Sequence, residues 1–278
     1  MIKPYTYSDN EMMFHYTVDE SPNPADFEMH THDRCELYLF LSGKGSFWVE
    51  GNRYPLTSGD ILLLRPFESH SIAIDPSVPY ERVALHFHPS LIDEEDKEYG
   101  LLMSAFYDRG AGKNNLLHAS DFDSDFVMTC FRRMKVRENN IKLNNMTHLY
   151  PLLYEIYRTR SQKKDEPITE DEPLSYQILQ HINQHITDPL SLDDICKEFY
   201  ISKSQLCRIF KKSVGSTVWN YITVKRLMIA IQQLSQGESP SVVCTRCGFS
   251  DYSVFWRAYR AQFGVSPKND YLEAQKNP

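Results

Sequence analysis

The chain has 278 residues, 41% of them hydrophobic, which suits about two domains with real cores and excludes wholesale disorder. No apolar run approaches the roughly 20 residues that span a bilayer, the first residues carry no signal pattern, and the six cysteines are too scattered for a disulfide framework, so a cytoplasmic protein without membrane partners is expected. The net charge of −7 divides unevenly: from Leu174 onward 12 Lys+Arg face 8 Asp+Glu, or +4, leaving −11 elsewhere, so only the C-terminal third suits a polyanion.

Strand character runs from about Phe27 to His88. Leu37–Leu41, Gly45–Val49, Asp60–Leu64 and Arg82–His88 are short aromatic or branched runs, punctuated by Ser42-Gly43, Gly51-Asn52 and Ser58-Gly59. Such spacing predicts an all-β sandwich or barrel. On it stand His30-Thr31-His32, Glu36 and Gly43, followed by Gly59, Pro66 and His70. This set resembles the cupin signature. The resemblance implies that His30, His32, Glu36 and His70 point into the mouth of the barrel. Three imidazoles and a carboxylate could hold a divalent metal. The alternative is a polar, metal-free pocket for a small effector, with Tyr38, Trp48 and His86 adding surface. The metal-free pocket is the expectation carried forward, with no cofactor and no catalytic residue. Gly110-Ala111-Gly112-Lys113-Asn114 lacks the leading Gly and trailing Ser/Thr of a phosphate loop, and Asp93-Glu94-Glu95-Asp96 reads as a solvated loop or helix start.

Helical periodicity follows. Phe126, Val127, Cys130, Phe131 and Met134 predict a helix over about Asp121–Val136, and Met146, Leu149, Leu153 and Ile156 a second over about Asn140–Arg160. Pro151 should kink the second or mark a new start. The pair could cover the barrel and meet its copy in a homodimer, or be consumed by packing within one chain. Residues 161–173 are polar, charged and bounded at their end by prolines, as a linker would be.

The last third repeats one pattern. Cys196, Ile201 and Ser202 recur 48 residues later as Cys244, Phe249 and Ser250, and Leu206, Arg208 and Phe210 recur 49 later as Phe255, Arg257 and Tyr259. After a helix from about Leu174 to Ile186, each copy is a short helix, a tight turn and a basic helix. Ser191 with Asp194, and Ser202 with Gln205, are spaced as capping boxes, Ser250 is placed to cap the second basic helix, and Gly215 and Gly264 to stop the two basic helices. A long helix from Ser216 to Gln236 joins the copies. Cys244-x-x-Cys247 has no partner pair and reads as packing under the turn rather than a zinc site.

The run Gly248-Phe249-Ser250-Asp251, Phe255-x-Arg257 and Phe263-Gly264-x-Ser266-Pro267 resembles the DNA-binding domain of the AraC/XylS family of bacterial transcription regulators. The resemblance implies three segments: residues 1–160 as a cupin-like effector-binding domain with accessory dimerisation helices, 161–173 as a linker, and 174–278 as an all-α domain of two helix-turn-helix units. It implies a DNA-binding regulator, an activator, that partners double-stranded DNA and a small effector of sugar class, with RNA polymerase a further candidate partner. Base edges fall to Ser204, Cys207 and Arg208 in the first unit and to Tyr252, Ser253 and Arg257 in the second, with Lys203 and Lys211 on phosphates. Asp270 departs from the family pattern, which places an aromatic residue there, and leaves the role of the last helix open. The competing expectations are a cupin metalloenzyme fused to DNA-binding units and a regulator that works without an effector.

Overall fold

Alternation of apolar side chains between two faces decides the N-terminal unit. The computed structural model describes residues 4–27, 29–92, 97–134, 140–163, 174–214 and 216–274. The chain divides into two compact units, Met1–Thr169 and Glu170–Pro278. In the first, strands β1 (Tyr5–Ser8), β2 (Met12–Asp19), β3 (Cys35–Ser42), β6 (Ile61–Leu64), β8 (Tyr80–Phe87) and β9 (Leu116–Leu117) form one antiparallel sheet in the order β1-β2-β8-β3-β6-β9. Strands β4 (Gly45–Val49), β5 (Asn52–Pro55) and β7 (His70–Ile74) form a second antiparallel sheet, β5-β4-β7.

The central strand β3 is buried on both faces. Cys35, Leu37 and Leu39 join the core beneath helices α1 (Lys97–Tyr107), α2 (Ser124–Met134) and α3 (Ile141–Gln162). Tyr38 and Phe40 face the interior between the sheets, with Leu62, Leu64, Phe47, Val49 and Tyr80. A two-residue period puts Glu36 on the same interior side.

The expected barrel runs were there, but the sheet is larger than foreseen. Strands β1 and β2 precede Phe27, β5 starts in the expected Gly51-Asn52 turn, and β7 lies between the strand runs identified in the sequence, starting at His70. Helix α1 begins at Lys97, the residue after the acidic run that reads as a loop or helix start. Helix α3 runs through Pro151 without ending. A proline inside a helix costs about 3 kcal/mol, whereas burying Leu149, Leu152, Leu153 and Ile156 returns roughly 1.5–3 kcal/mol each, so packing wins. The helix also continues to Gln162, into the segment expected as linker. Residues 164–173 of that segment, the acidic run 93–96 and Gly215 lie outside the described residues.

The second unit is all helical: α4 (Leu174–Gln184), α5 (Leu192–Glu198), α6 (Lys203–Val214), α7 (Val218–Ser235), α8 (Pro240–Arg246), α9 (Tyr252–Phe263) and α10 (Pro267–Ala274). The local chemistry that starts each helix is visible. Ser202 accepts from the Gln205 amide at 3.2 Å while Gln205 Oε1 accepts from the Ser202 amide at 3.0 Å, a reciprocal cap. Pro240 opens α8, where its missing N–H costs nothing. The second basic helix is capped by Asp251, not by Ser250 as expected: its carboxylate accepts from the Val254 amide at 2.8 Å. An ionised cap at a helix N-terminus is favoured by the dipole over a hydroxyl. Gly264 closes α9 at φ 76°. Among the described residues, no helix is long and apolar enough to cross a membrane.

Candidate functional site

Two sets of side chains stand out, one in each unit. In the helical unit, α6 and α9 are equivalent 12-residue helices. Leu206 and Phe210 bury the inner face of α6, and Phe255 and Tyr259 that of α9. The arginines of the repeat, Arg208 and Arg257, are each the sixth residue of their helix and are exposed. So are Lys203, Ser204, Cys207 and Lys211 on α6, and Tyr252 and Ser253 on α9. Neither arginine forms an ion pair with a described side chain. Arg257 Nε donates only to its own helix, at the Ser253 carbonyl, 3.3 Å away. Lys203 pairs with Asp193 at 2.8 Å in an exposed contact, which is worth little and is readily exchanged for another anion.

Between the two copies, α7 supplies an 18-residue span of about 27 Å. Its Arg226 is a residue that the sequence reading passed over. The guanidinium is buried and donates to three backbone carbonyls: Ile186 at 2.7 Å, Asp188 at 2.7 Å and Gly248 at 2.7 Å. The available signal was an ionisable residue four positions after Ile222 on the apolar side of a helix. Cys244 and Cys247 are both buried in the core of the second copy. Burial raises both thiols, that of Cys247 to about 11, so they pack as neutral groups.

In the β unit, three of the histidines named above converge on the Glu36 carboxylate. Register sets Glu36 on β3 directly opposite His86 on β8. His70 begins β7 and pairs by backbone with His30, N to O at 2.9 and 3.0 Å. Glu36 Oε2 lies 3.1 Å from His32 Nε2, 3.4 Å from His70 Nε2 and 3.4 Å from His86 Nε2. Burial pushes the Glu36 carboxyl up, but His86 and His32 override it and hold it well below the usual range. Burial, reinforced by His30, holds His70 well below the ordinary imidazole value, so it is neutral. The remaining nitrogens of two rings are fixed by carbonyls: His32 Nδ1 lies 3.0 Å from the Arg34 oxygen and His70 Nδ1 2.8 Å from the Glu68 oxygen.

The other expected pocket residues are placed differently. His30 is exposed at the rim, its ring 4.2 Å from that of His70. Tyr38 is enclosed, its hydroxyl against that of Tyr80 and its ring against Phe47. Trp48 is a correction. Phe47 and Val49 fill the interior, so Trp48 between them points to the opposite side of its sheet.

Family comparison agrees with this division. A model of the AraC-like ligand binding domain matches residues 18–150, and a model described as a helix-turn-helix domain matches residues 195–271. The chain belongs to the AraC family of transcription regulators. Similar proteins include the HTH-type transcriptional activator RhaR of Mannheimia succiniciproducens, 21% identical over 90% of this chain and 89% of that one. The Msm operon regulatory protein of Streptococcus mutans is 24% identical over 95% and 93%. The probable transcriptional regulator LumQ of Photobacterium leiognathi is 34% identical, over 31% of this chain and 36% of that one. These relatives are transcription regulators rather than enzymes.

Within this AraC-family chain, the departure at Asp270 has a structural answer. Tyr259 of α9 donates its hydroxyl to the Asp270 carboxylate, and Tyr271 packs against the same core. An acid in place of the usual aromatic residue therefore still docks the last helix.

Proposed function

We propose that this regulator is an activator that reads DNA through α6 and α9 and is governed by a small effector held beside Glu36. The observation that carries the DNA reading is the pair of equivalent exposed arginines, Arg208 and Arg257, each free of ion pairs with described side chains on a helix whose other side is buried. A guanidinium so presented can pair bidentately with guanine in the major groove. Ser204, Cys207, Tyr252 and Ser253 are the neighbouring base-edge candidates, and Lys203 and Lys211 hold phosphates. Ser204 and Cys207 are short, so the first unit reads fewer bases than the second.

The effector is of sugar class. Support comes from relatives named RhaR, alike over about nine-tenths of the chain at low identity, and from the polar cluster of His32, Glu36, His70 and His86. Regulation is a population shift: the effector binds one arrangement of the chain better than another. The chain acts as a homodimer in the cytoplasm, with RNA polymerase as the protein partner of the DNA-bound form. The test is a thermal-shift screen of the full chain against sugars, followed by DNA affinity with and without each hit. A hit that changes DNA affinity, and loses its effect in Glu36→Gln, supports the reading. No sugar that shifts the melting of the first unit would overturn the effector half of it.

A further inference from the structure

We infer that the barrel holds a divalent transition-metal ion on His32, Glu36 and His86, against the metal-free lining expected from sequence. The inference goes beyond the effector reading and does not depend on it. Three observations combine. The donor atoms of these three residues all lie within 4.8 Å of one another. The contacts of Glu36 Oε2 with the two ring nitrogens are 3.1 and 3.4 Å. Donors held about 2.0–2.2 Å from one ion sit roughly 3.3 Å apart across a tetrahedral edge, so the two Glu36 contacts match such an edge, and only the wider spread of the set must close by a few tenths of an ångström or more on binding.

The second observation is the tautomer of His32. A carbonyl oxygen only accepts, so the 3.0 Å contact with Arg34 puts a proton on Nδ1. In the neutral ring the Nε2 lone pair then faces the Glu36 carboxylate, lone pair to anion. Metal-binding imidazoles are held in this way, with the far N–H given to a backbone carbonyl. One added proton on His32 would relieve that one contact.

It would not relieve the third. His70 is 2% exposed, its Nδ1 is committed to the Glu68 carbonyl, and its Nε2 has no hydrogen-bond partner while facing the same Glu36 oxygen at 3.4 Å. A buried lone pair aimed at a buried carboxylate is costly. A cation on Glu36 withdraws the negative charge from it. Two imidazoles and a carboxylate select a borderline first-row ion such as zinc, nickel, cobalt or ferrous iron. The ligand set is not the one read from the motif: His30, the first histidine of His30-Thr31-His32, is at the exposed rim, and His86 from β8 takes its place.

The experiment is titration of chelator-stripped, full-length protein with Co²⁺, followed by visible absorption and calorimetry. One equivalent should bind, with the weak d–d bands of nitrogen and oxygen ligation. His86→Ala and Glu36→Gln should each weaken binding by about tenfold or more, and His30→Ala should leave it within about threefold of the parent. Circular dichroism and DNA affinity of each variant show whether it has folded. If folded His86→Ala binds Co²⁺ as the parent does, if His30→Ala is the variant that loses it, or if an intense thiolate charge-transfer band places the ion on cysteines, the assignment is overturned. So is it if the parent binds no Co²⁺ at all.

Discussion

Arg226 donates to the carbonyl oxygen of Gly248 at 2.7 Å, tying the middle of the long helix to the turn of the second reading unit. The same guanidinium holds Ile186 and Asp188, on the segment that leads into the first unit. Gly248 has φ +81°, and a Cβ there would stand 2.6 Å from the Thr187 oxygen and 2.9 Å from Arg226 Cζ. The two copies of the repeat are thus fastened through one buried cation and one residue without a side chain.

Removing that cation should be expensive. Arg226→Met leaves three carbonyls without the donor that now satisfies them and is expected to lower the stability of the helical unit by about 3 kcal/mol. Gly248→Ala adds left-handed backbone cost to a clash with backbone and should lose at least about 2 kcal/mol. Urea melts of the full chain, resolved for the second unit, measure both. Because the residues touch, the double variant should lose less than the sum of the singles; strict additivity would show that they act separately.

Tyr200 occupies the position in the first copy that Gly248 holds in the second. It too is left-handed, at φ 52°, yet 96% exposed, so its side chain meets no obstacle and only the backbone is strained. Relief of about 1–2 kcal/mol, less the entropy a glycine gives up on folding, predicts that Tyr200→Gly stabilises the unit by roughly 0.5–1 kcal/mol. A thermal midpoint raised by a few degrees fits; a lowered one would mean the ring makes a stabilising contact.

The repeat and the barrel strands were legible because each rests on local pattern: short aromatic or branched runs in β3 and β4, caps at Ser202 and Gly264, and a constant offset between copies. What stayed hidden depends on pairing at a distance. Nothing near His86 says that β8 lies beside β3, so its place opposite Glu36 could not be read. Trp48 was misplaced for a related reason, since a strand shows which residues alternate but not which side is enclosed. Asp251 displaced Ser250 as a cap because both are capping residues and one position decides between them. Arg226 lies on the apolar side of its helix, but the carbonyls of Ile186 and Gly248 that it serves are remote in sequence, so its role depends on the fold.

Glu68 gives the pH prediction. Its carboxylate is buried and receives Arg109 through both guanidinium nitrogens at 2.7 Å, with the Gly112 amide at 2.8 Å. Burial pushes the acid up, but Arg109 and the amides hold it below its ordinary 4.5. A depressed acid stabilises the fold fully above 4.5 and loses that contribution as pH falls through the folded value. The β unit should therefore weaken as pH drops below about 4.5, and Glu68→Gln should cost about 3 kcal/mol at neutral pH. The variant should also show a flatter acid dependence in denaturant melts. An equally steep acid loss would place the proton uptake elsewhere.

The central claim, that α6 and α9 read base sequence, is tested most directly by Arg257→Ala. DNA selected from a random pool by the parent protein is varied one base pair at a time, and affinity is measured at fixed salt for parent and variant. A loss of about 1–3 kcal/mol confined to one base position, with preference relaxed there, is the expected result. A loss spread uniformly over all sequences, or none, would contradict it.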